Sequence, residues 1–426
     1  MRTGSCWTGS DQATHSLRHA VRILTLLRRL LGVSGLILEG VRFEADTMVV
    51  AVRPRGQLPR CGECQAVCSG YDHARPRRWR HLGLGRLRIQ LAYTPRRVQC
   101  ADCDGVRVEA VPWAPHGGGF TYDFEELVAY MAQVTDKTRV TKLLGISWTS
   151  VGAIVRRVVD RKLDPELLDG LRCIGVDEFG YRKRHNYLTI VVDHDRKRVV
   201  WARPGKDAAT LQAFFAELGP ERCAKIECVT SDLSGAFTKA IEEAVPSAKH
   251  VFDRFHVQRL ASDAVDQVRR EQLQELRGTA EGKQLFRSRF ALLKNPWNLT
   301  ASEKGRLSLV QRTNAPLYRA YLLKETLAQA LDYRQPLRAE RALKSWLGWA
   351  ARSRLAPFIR VGRTIRKHFD GVLGYVKERI TNAFLEGTNN KIRMITHRAF
   401  GFHQPHALIA MIFLCCSGIA LQPPLP

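Results

Sequence analysis

Two kinds of residue in this chain stand where chemistry needs them. The first are cysteines: Cys61-Gly-Glu-Cys64 and Cys100-Ala-Asp-Cys103 form two C-x2-C pairs separated by thirty-five residues. Zinc takes four soft ligands in a tetrahedron, and each pair offers two thiolates from one tight turn. The expectation is a structural zinc ion on Cys61, Cys64, Cys100 and Cys103, without a catalytic role because four thiolates leave no open coordination position. Cys68 and His81 are the substitutes should one of the four be incidental. The second kind are acids at the ends of apolar runs. Asp177 closes the run IGV, and Asp232 follows ECVTS and precedes the small residues Ser234 and Gly235. Acids there pack poorly but hold hard cations well at a sheet rim. A third acid, Glu386, lies in NAFLEGTNNKIR (Asn382–Arg393), with Asn390 and Arg393 at i+4 and i+7 on its helical face. Alone, each strand-end Asp is as easily a turn former or a helix cap. The order carries the reading: two strand-terminal Asp, a long helical stretch, then a helical Glu.

These groups need elements to hold them. Alternating runs at Met48–Arg55 and Leu87–Tyr93 predict short strands, and Gly117-Gly118-Gly119 predicts a hinge after them. From Tyr122 to about Leu163 the period is helical, with apolar stripes Phe124, Leu127, Val128, Met131 and Val151, Ile154, Val155, Val158. Between the stripes lies a short helix with a turn at Gly145, the layout of a helix-turn-helix. Its second helix enters a major groove, so Ser147, Trp148, Thr149 and Ser150 are candidates for base contact, and Arg156 and Arg157 for phosphate contact. Strands are expected at residues 172–176, 187–193, 198–202 and 225–230, helices at 208–218 and 235–245, and helical pattern alone from about 257 to 376.

Composition limits the partners. Among 426 residues, 67 Lys and Arg against 41 Asp and Glu leave a net charge of +26, spread along the whole chain. A solvated basic surface needs far less, so a polyanion is the expected partner. Arg75, Arg77, Arg78, Arg80 and Arg86 cluster about Trp79 between the cysteine pairs and suit phosphate. A 45% hydrophobic content excludes a disordered or fibrous chain. Eleven cysteines, an odd number, argue against a disulfide framework. The apolar stretch Val21–Leu38 is broken by Arg22, Arg28 and Arg29, and Ala407–Ala420 is too short to span a bilayer, so a cytoplasmic protein with a buried terminal helix is expected.

The stretches IGVDEFGYRKRHNYLTIVVD, VTSDLSGAF, HVFDRFHV and NAFLEGTNNKIR…RAFGF resemble bacterial insertion-sequence transposases of the DDE type, within them the insertion-sequence L-three group. The resemblance implies a multidomain α/β chain: a ribonuclease-H-like mixed sheet with a helical insertion, an N-terminal zinc-binding module and a helix-turn-helix. It places the acidic triad on Asp177, Asp232 and Glu386, with Asp253 as the rival for any one of them. Expected bounds are an extension at 1–29, the zinc module at 30–118, the helix-turn-helix at 119–165, the core at 166–256 and 376–426, and the insertion at 257–375. The expected reaction is metal-dependent strand cleavage and strand transfer at the ends of an element, acting on double-stranded element and target DNA, by at least a dimer. Two Mg²⁺ ions (or Mn²⁺) would lie between the acids, Asp177 bridging both. Lys391 and Arg393 read as phosphate holders; His185, His194 and His256 as weaker candidates for metal or base roles; and Trp297, Trp346 and Trp349 as core residues or stackers on an extruded base. The competing reading is a DNA-binding regulator that keeps zinc and helix-turn-helix but lacks catalysis; a nuclease that cuts without joining is a further one.

Overall fold

The structure, a computed structural model, describes residues 24–422 except Gln57, 183–185, Ser234, 379–382, Phe400 and His403. Most of the expected 1–29 extension, and the candidate His185, lie outside the described residues. The chain is a multidomain α/β protein whose described residues form two compact units, one running up to Lys162 and the other spanning Leu163–Ile419.

The first unit holds seven strands: β1 (Leu36–Glu44), β2 (Thr47–Pro54), β3 (Ser69–His73), β4 (Arg77–Leu84), β5 (Leu87–Tyr93), β6 (Arg96–Cys100) and β7 (Gly105–Val108). They make a four-stranded sheet in the order β1-β2-β5-β4 and a three-stranded one in the order β3-β6-β7. Alternation explains the first sheet: Met48, Val50 and Val52 of β2 and Ile89 and Leu91 of β5 turn to one face, where Trp79 and Trp113 meet edge-on at 5.7 Å. Three helices follow: α1 (Tyr122–Val134), α2 (Lys137–Leu144) and α3 (Trp148–Lys162). Thr121 caps α1 and Asp136 caps α2, while Gly145, with φ +58°, supplies the left-handed residue that ends α2 and starts the turn. The glycine triplet before α1 is no hinge. The Arg80 amide donates to the Gly119 carbonyl at 2.9 Å, the Arg77 guanidinium donates to the Gly118 carbonyl at 2.9 Å, and the Thr121 amide returns a bond to Arg80. Strand β4 thereby grips the loop that leads into the helices.

The second unit is built on a five-stranded sheet: β8 (Cys173–Arg182), β9 (Asn186–Asp193), β10 (Arg198–Pro204), β11 (Cys228–Ser231) and β12 (Lys249–Phe252). The order is β10-β9-β8-β11-β12, with β8, β9 and β10 antiparallel neighbours and β11 parallel to both β8 and β12. This is the ribonuclease-H-like arrangement. Helices α4 (Ala208–Leu218) and α5 (Gly235–Ala244) cross between strands and bury Leu211, Phe214, Phe237 and Ile241 on one face. After β12 comes the helical insertion: α6 (Arg254–Glu275), α7 (Ala280–Phe286), α8 (Arg289–Leu293), α9 (Ala301–Thr313), α10 (Ala315–Asp332), α11 (Pro336–Arg352), α12 (Ala356–Lys367) and α13 (Phe369–Glu378). It has its own apolar core around Leu323, Leu327, Trp346 and Phe358. Gly371 on α13 lets that helix lie against β12, since a Cβ there would come within 2.5 Å of the Phe252 ring. Finally α14 (Ala383–Arg398) and α15 (Pro405–Cys416) cover the opposite face of the sheet through Leu385, Ile392, Leu408 and Ile412. Among the described residues no helix is long and apolar enough to cross a membrane.

Candidate active site and metal centre

The two cysteine turns converge. The Sγ atoms of Cys61, Cys64, Cys100 and Cys103 all lie within 4.8 Å of one another, with Cys64–Cys100 at 3.5 Å and Cys61–Cys103 at 3.8 Å. Thiolates 2.3 Å from a tetrahedral zinc ion stand about 3.8 Å apart, close to the two separations above, so the four suit that ion. One turn lies between β2 and β3 and the other between β6 and β7; the β4–β5 hairpin of the intervening segment joins the other sheet. The substitutes stay out. Buried His81 spends its nitrogens on the Thr121 hydroxyl (2.9 Å) and the Leu31 carbonyl (3.1 Å), and Cys68 packs beside the four with its thiol toward the Ala66 carbonyl.

Register builds the acidic site. Strands β8, β11 and β12 run parallel, with Thr230 opposite Gly175 and Ser231 opposite Phe252. Asp177, expected to close its strand, lies instead within β8, opposite Ile190 of β9, because the pairing with β9 runs on to Arg182. Continuing the parallel pairings past the ends of β11 and β12 brings Asp232 level with Asp177 and Asp253 level with Asp232. Burial pushes the Asp177 carboxyl up to about 6; the nearby Asp232 charge adds to the rise, while the Glu178 amide, His256 and the Asn389 amide work against it. Asp253 is claimed otherwise: one oxygen accepts from the Phe255 amide and caps α6, the other faces His256 Nδ1 at 3.0 Å. That hydrogen bond, with the charges of Asp177 and Asp232, raises the His256 pKa above its ordinary value.

Helix α14 supplies the third element. Leu385, Thr388, Asn389, Ile392 and Ile395 are its buried stripe, and the Asn389 amide donates to Asp177 Oδ2 at 2.6 Å. Glu386 precedes Asn389 by three residues, on the adjoining turn, and is exposed. The inward residue is therefore Asn389 at i+3. Asn390 and Arg393, expected on the face of Glu386, are exposed as Glu386 is, and Arg393 donates to the Asn390 oxygen at 3.2 Å. Among the described residues only the four cysteines form a closed group of three or more ligand side chains; Asp177, Asp232 and Glu386 do not. Like charges at a rim repel unless a cation draws them together. The donor set is all oxygen, with Asp177 and Asp232 part-buried and Glu386 exposed, and the Asn389 oxygen is buried without a hydrogen-bond partner, which fits a hard divalent cation.

The other candidates divide by what they touch. Ser147 accepts from the Ser150 amide at 3.1 Å and caps α3, leaving Trp148 and Thr149 exposed and Ser150 half-buried at the helix start. Lys137 lies over the Trp148 ring at 4.9 Å. Arg156 is exposed, whereas Arg157 is paired with the fully buried Glu125 at 2.5 Å. In β4, Arg78 pairs with Glu44 at 2.7 Å, Arg77 lies over Trp79, and Arg80 reaches the Gly145 carbonyl and covers Phe124, so all three brace the fold; Arg75 and Arg86 are exposed. Lys391 donates to the Cys415 carbonyl in the last turn of α15. His194 crosses over Gly175 to the Thr230 hydroxyl at 2.7 Å. Trp346 is buried with its indole N–H on the Leu323 carbonyl, Trp349 packs against the same core, and Trp297 is exposed.

A ribonuclease-H-like sheet with acids level at its rim, in one chain with a zinc-binding ribbon and a helix-turn-helix, defines a DNA-binding transposase. Residues 174–412 match the family described as transposase, residues 109–159 the helix-turn-helix domain of transposase family ISL3, and residues 57–103 the zinc-finger of transposase IS204/IS1001/IS1096/IS1165. The chain belongs to the ISL3 transposase family. It is 37% identical, over 93% of its length and 96% of the relative's, to the transposase for insertion sequence element IS1557 of Mycobacterium tuberculosis. It is 27% identical, over 88% of its length and 94% of the relative's, to the transposase for insertion sequence element IS1001 of Bordetella parapertussis.

Proposed function

We propose that this transposase binds the ends of an insertion sequence and cuts and joins DNA strands at one site formed by Asp177, Asp232 and Glu386. The observation that supports the reading is the parallel pairing of β11 with β8, whose continuation brings Asp232 level with Asp177, together with the Asn389 hydrogen bond that ties the Glu386-bearing helix to Asp177. Two Mg²⁺ ions, or Mn²⁺, suit these oxygen donors, and when bound they supply an activated nucleophile and a stabilised leaving oxygen. The chain's own part is placement. The Glu178 amide holds Asp177 Oδ1 at 2.8 Å and Asn389 holds Oδ2, so that carboxylate keeps one orientation as DNA arrives. Asp253 is a support for α6 and His256 in this scheme.

Addressing belongs to the first unit. Trp148, Thr149 and Ser150 at the start of α3 are proposed to meet bases, and exposed Arg156, Arg75 and Arg86 to meet phosphates. Arg393, exposed on the same helix as Glu386, is proposed for the scissile strand, while Lys391, Arg77, Arg78, Arg80 and Arg157 each have a partner within the fold. The proposed bounds are a zinc module at 30–118, a helix-turn-helix at 119–165, a core at 166–256 and 376–426, and an insertion at 257–375. Two element ends processed together call for at least a dimer on DNA. The test is a strand-transfer assay with an element-end duplex and Mg²⁺. Product that disappears on chelation and in Glu386→Gln, with end binding retained, is the expected result; product unchanged in Glu386→Gln refutes the assignment.

A further inference from the structure

We propose that Asn389 is a positioning residue of the acidic site, its amide fixing the Asp177 carboxylate and its oxygen accepting from a water of the bound cation's hydration shell. The inference rests on the reading of Asp177 as a cation ligand. It begins from a side chain with one half satisfied. Asn389 is 8% exposed, and its Nδ2 donates to Asp177 Oδ2 at 2.6 Å. A carboxylate takes only donors, so the amide nitrogen must face Asp177 and the oxygen must face the other way. That oxygen is buried and has no hydrogen-bond partner. A buried acceptor left unpaired is costly, and natural folds rarely keep one without a use.

The surroundings say what could satisfy it. Asp177 Oδ1 already accepts from the Glu178 amide, so each Asp177 oxygen has one donor and one lone pair still to give. A cation on those lone pairs keeps several of its waters, and water is a donor of the kind the Asn389 oxygen lacks. The same side chain bears on the third acid. Glu386 stands three residues earlier on α14, so the Asn389–Asp177 bond sets how near the first turns of that helix lie to β8. Isoleucines at 392 and 395 hold the helix against the sheet farther along, and Asn389 makes a polar tie between α14 and Asp177. Apolar packing alone tolerates small slides; a short hydrogen bond to a ligand carboxylate does not.

The experiment is a Mn²⁺ titration of zinc-loaded full-length protein, followed by electron paramagnetic resonance, with melting in EDTA recorded beside it. Asn389→Leu keeps the volume and removes both polar functions. The expected result is a Mn²⁺ dissociation constant raised about tenfold or more, with the EDTA melting temperature not lowered. Should that variant fail to fold, Asn389→Ser carries the same expectation. Unchanged Mn²⁺ affinity in a folded variant overturns the inference and leaves Asn389 a packing residue. Asp177→Asn separates the two claims: if it abolishes Mn²⁺ binding while Asn389→Leu does not, only the Asn389 role fails. If Asp177→Asn also leaves binding unchanged, the triad reading itself fails.

Discussion

Arg156 and Arg157 are neighbours in sequence with opposite work, and the difference lies in what each touches. Arg157 balances Glu125, which is fully buried in α1, and Arg161 approaches the same carboxylate at 3.3 Å. Arg156 faces water. Arg157→Ala should therefore destabilise the first unit by about 2 kcal/mol, less than the full cost of orphaning a buried charge because Arg161 remains. Arg156→Ala should leave stability within about 0.5 kcal/mol and lower the salt dependence of duplex binding by about one counterion. Denaturant melts and binding isotherms at several salt concentrations read both effects; equal loss of stability in the two variants would contradict the division. The same logic explains which residues the sequence could identify. The cysteine pairs were legible because zinc fixes both ligand type and spacing. The β4 arginines were not: composition shows that five guanidiniums surround Trp79, but only packing shows that three are consumed by Glu44, Gly118 and Gly145. Asn389 escaped because i+3 and i+4 lie on one face, and which of two adjacent asparagines turns inward depends on where the leucine and isoleucine stripe settles.

Strand β12 shows how an element too short to announce itself can still order the site. Its four residues, Lys249–Phe252, carry too little alternation to be seen in the sequence, whereas β8, β9 and β10 stand out as long apolar runs. Yet β12 closes the parallel trio and sets Asp253 beside the acids. His250 at its centre hydrogen-bonds the Ser231 hydroxyl at 2.7 Å, and burial pushes its pKa down to about 4, helped by His368. The sign follows. Between pH 6.5 and about 4 the unfolded chain binds a proton that the folded chain refuses, so stability falls as the pH drops through that window and is unaffected above it. His250→Gln keeps a hydrogen-bonding side chain and removes the titration. Melts from pH 7 to pH 4.5 should show a shallower decline for the variant than for the parent; parallel declines would mean that His250 does not govern the acid sensitivity.

At the scale of the whole molecule, a strongly basic chain divides its labour between an addressing unit and a catalytic unit. The order of modules could be read from the sequence because each leaves a pattern: paired cysteines, two helical stripes about Gly145, alternating strands and helices, and then a long helical stretch; the strand-end signal held for Asp232 but not for Asp177, which β8 carries in its interior. The glycine triplet misled, since glycine signals freedom only where nothing binds the backbone, and here β4 binds it. Convergence of the acids is the central proposal; what supports it is the parallel pairing of β8 with β11 for Asp177 and Asp232 and the Asn389–Asp177 hydrogen bond for the helix that bears Glu386. Its most direct test replaces the native cation with Fe²⁺ and generates hydroxyl radicals with ascorbate and peroxide, which cut the polypeptide next to the bound iron. The account predicts cuts clustered near residues 177, 232 and 386, suppressed by excess Mg²⁺. Cuts near 177 and 232 with none in α14 would contradict it.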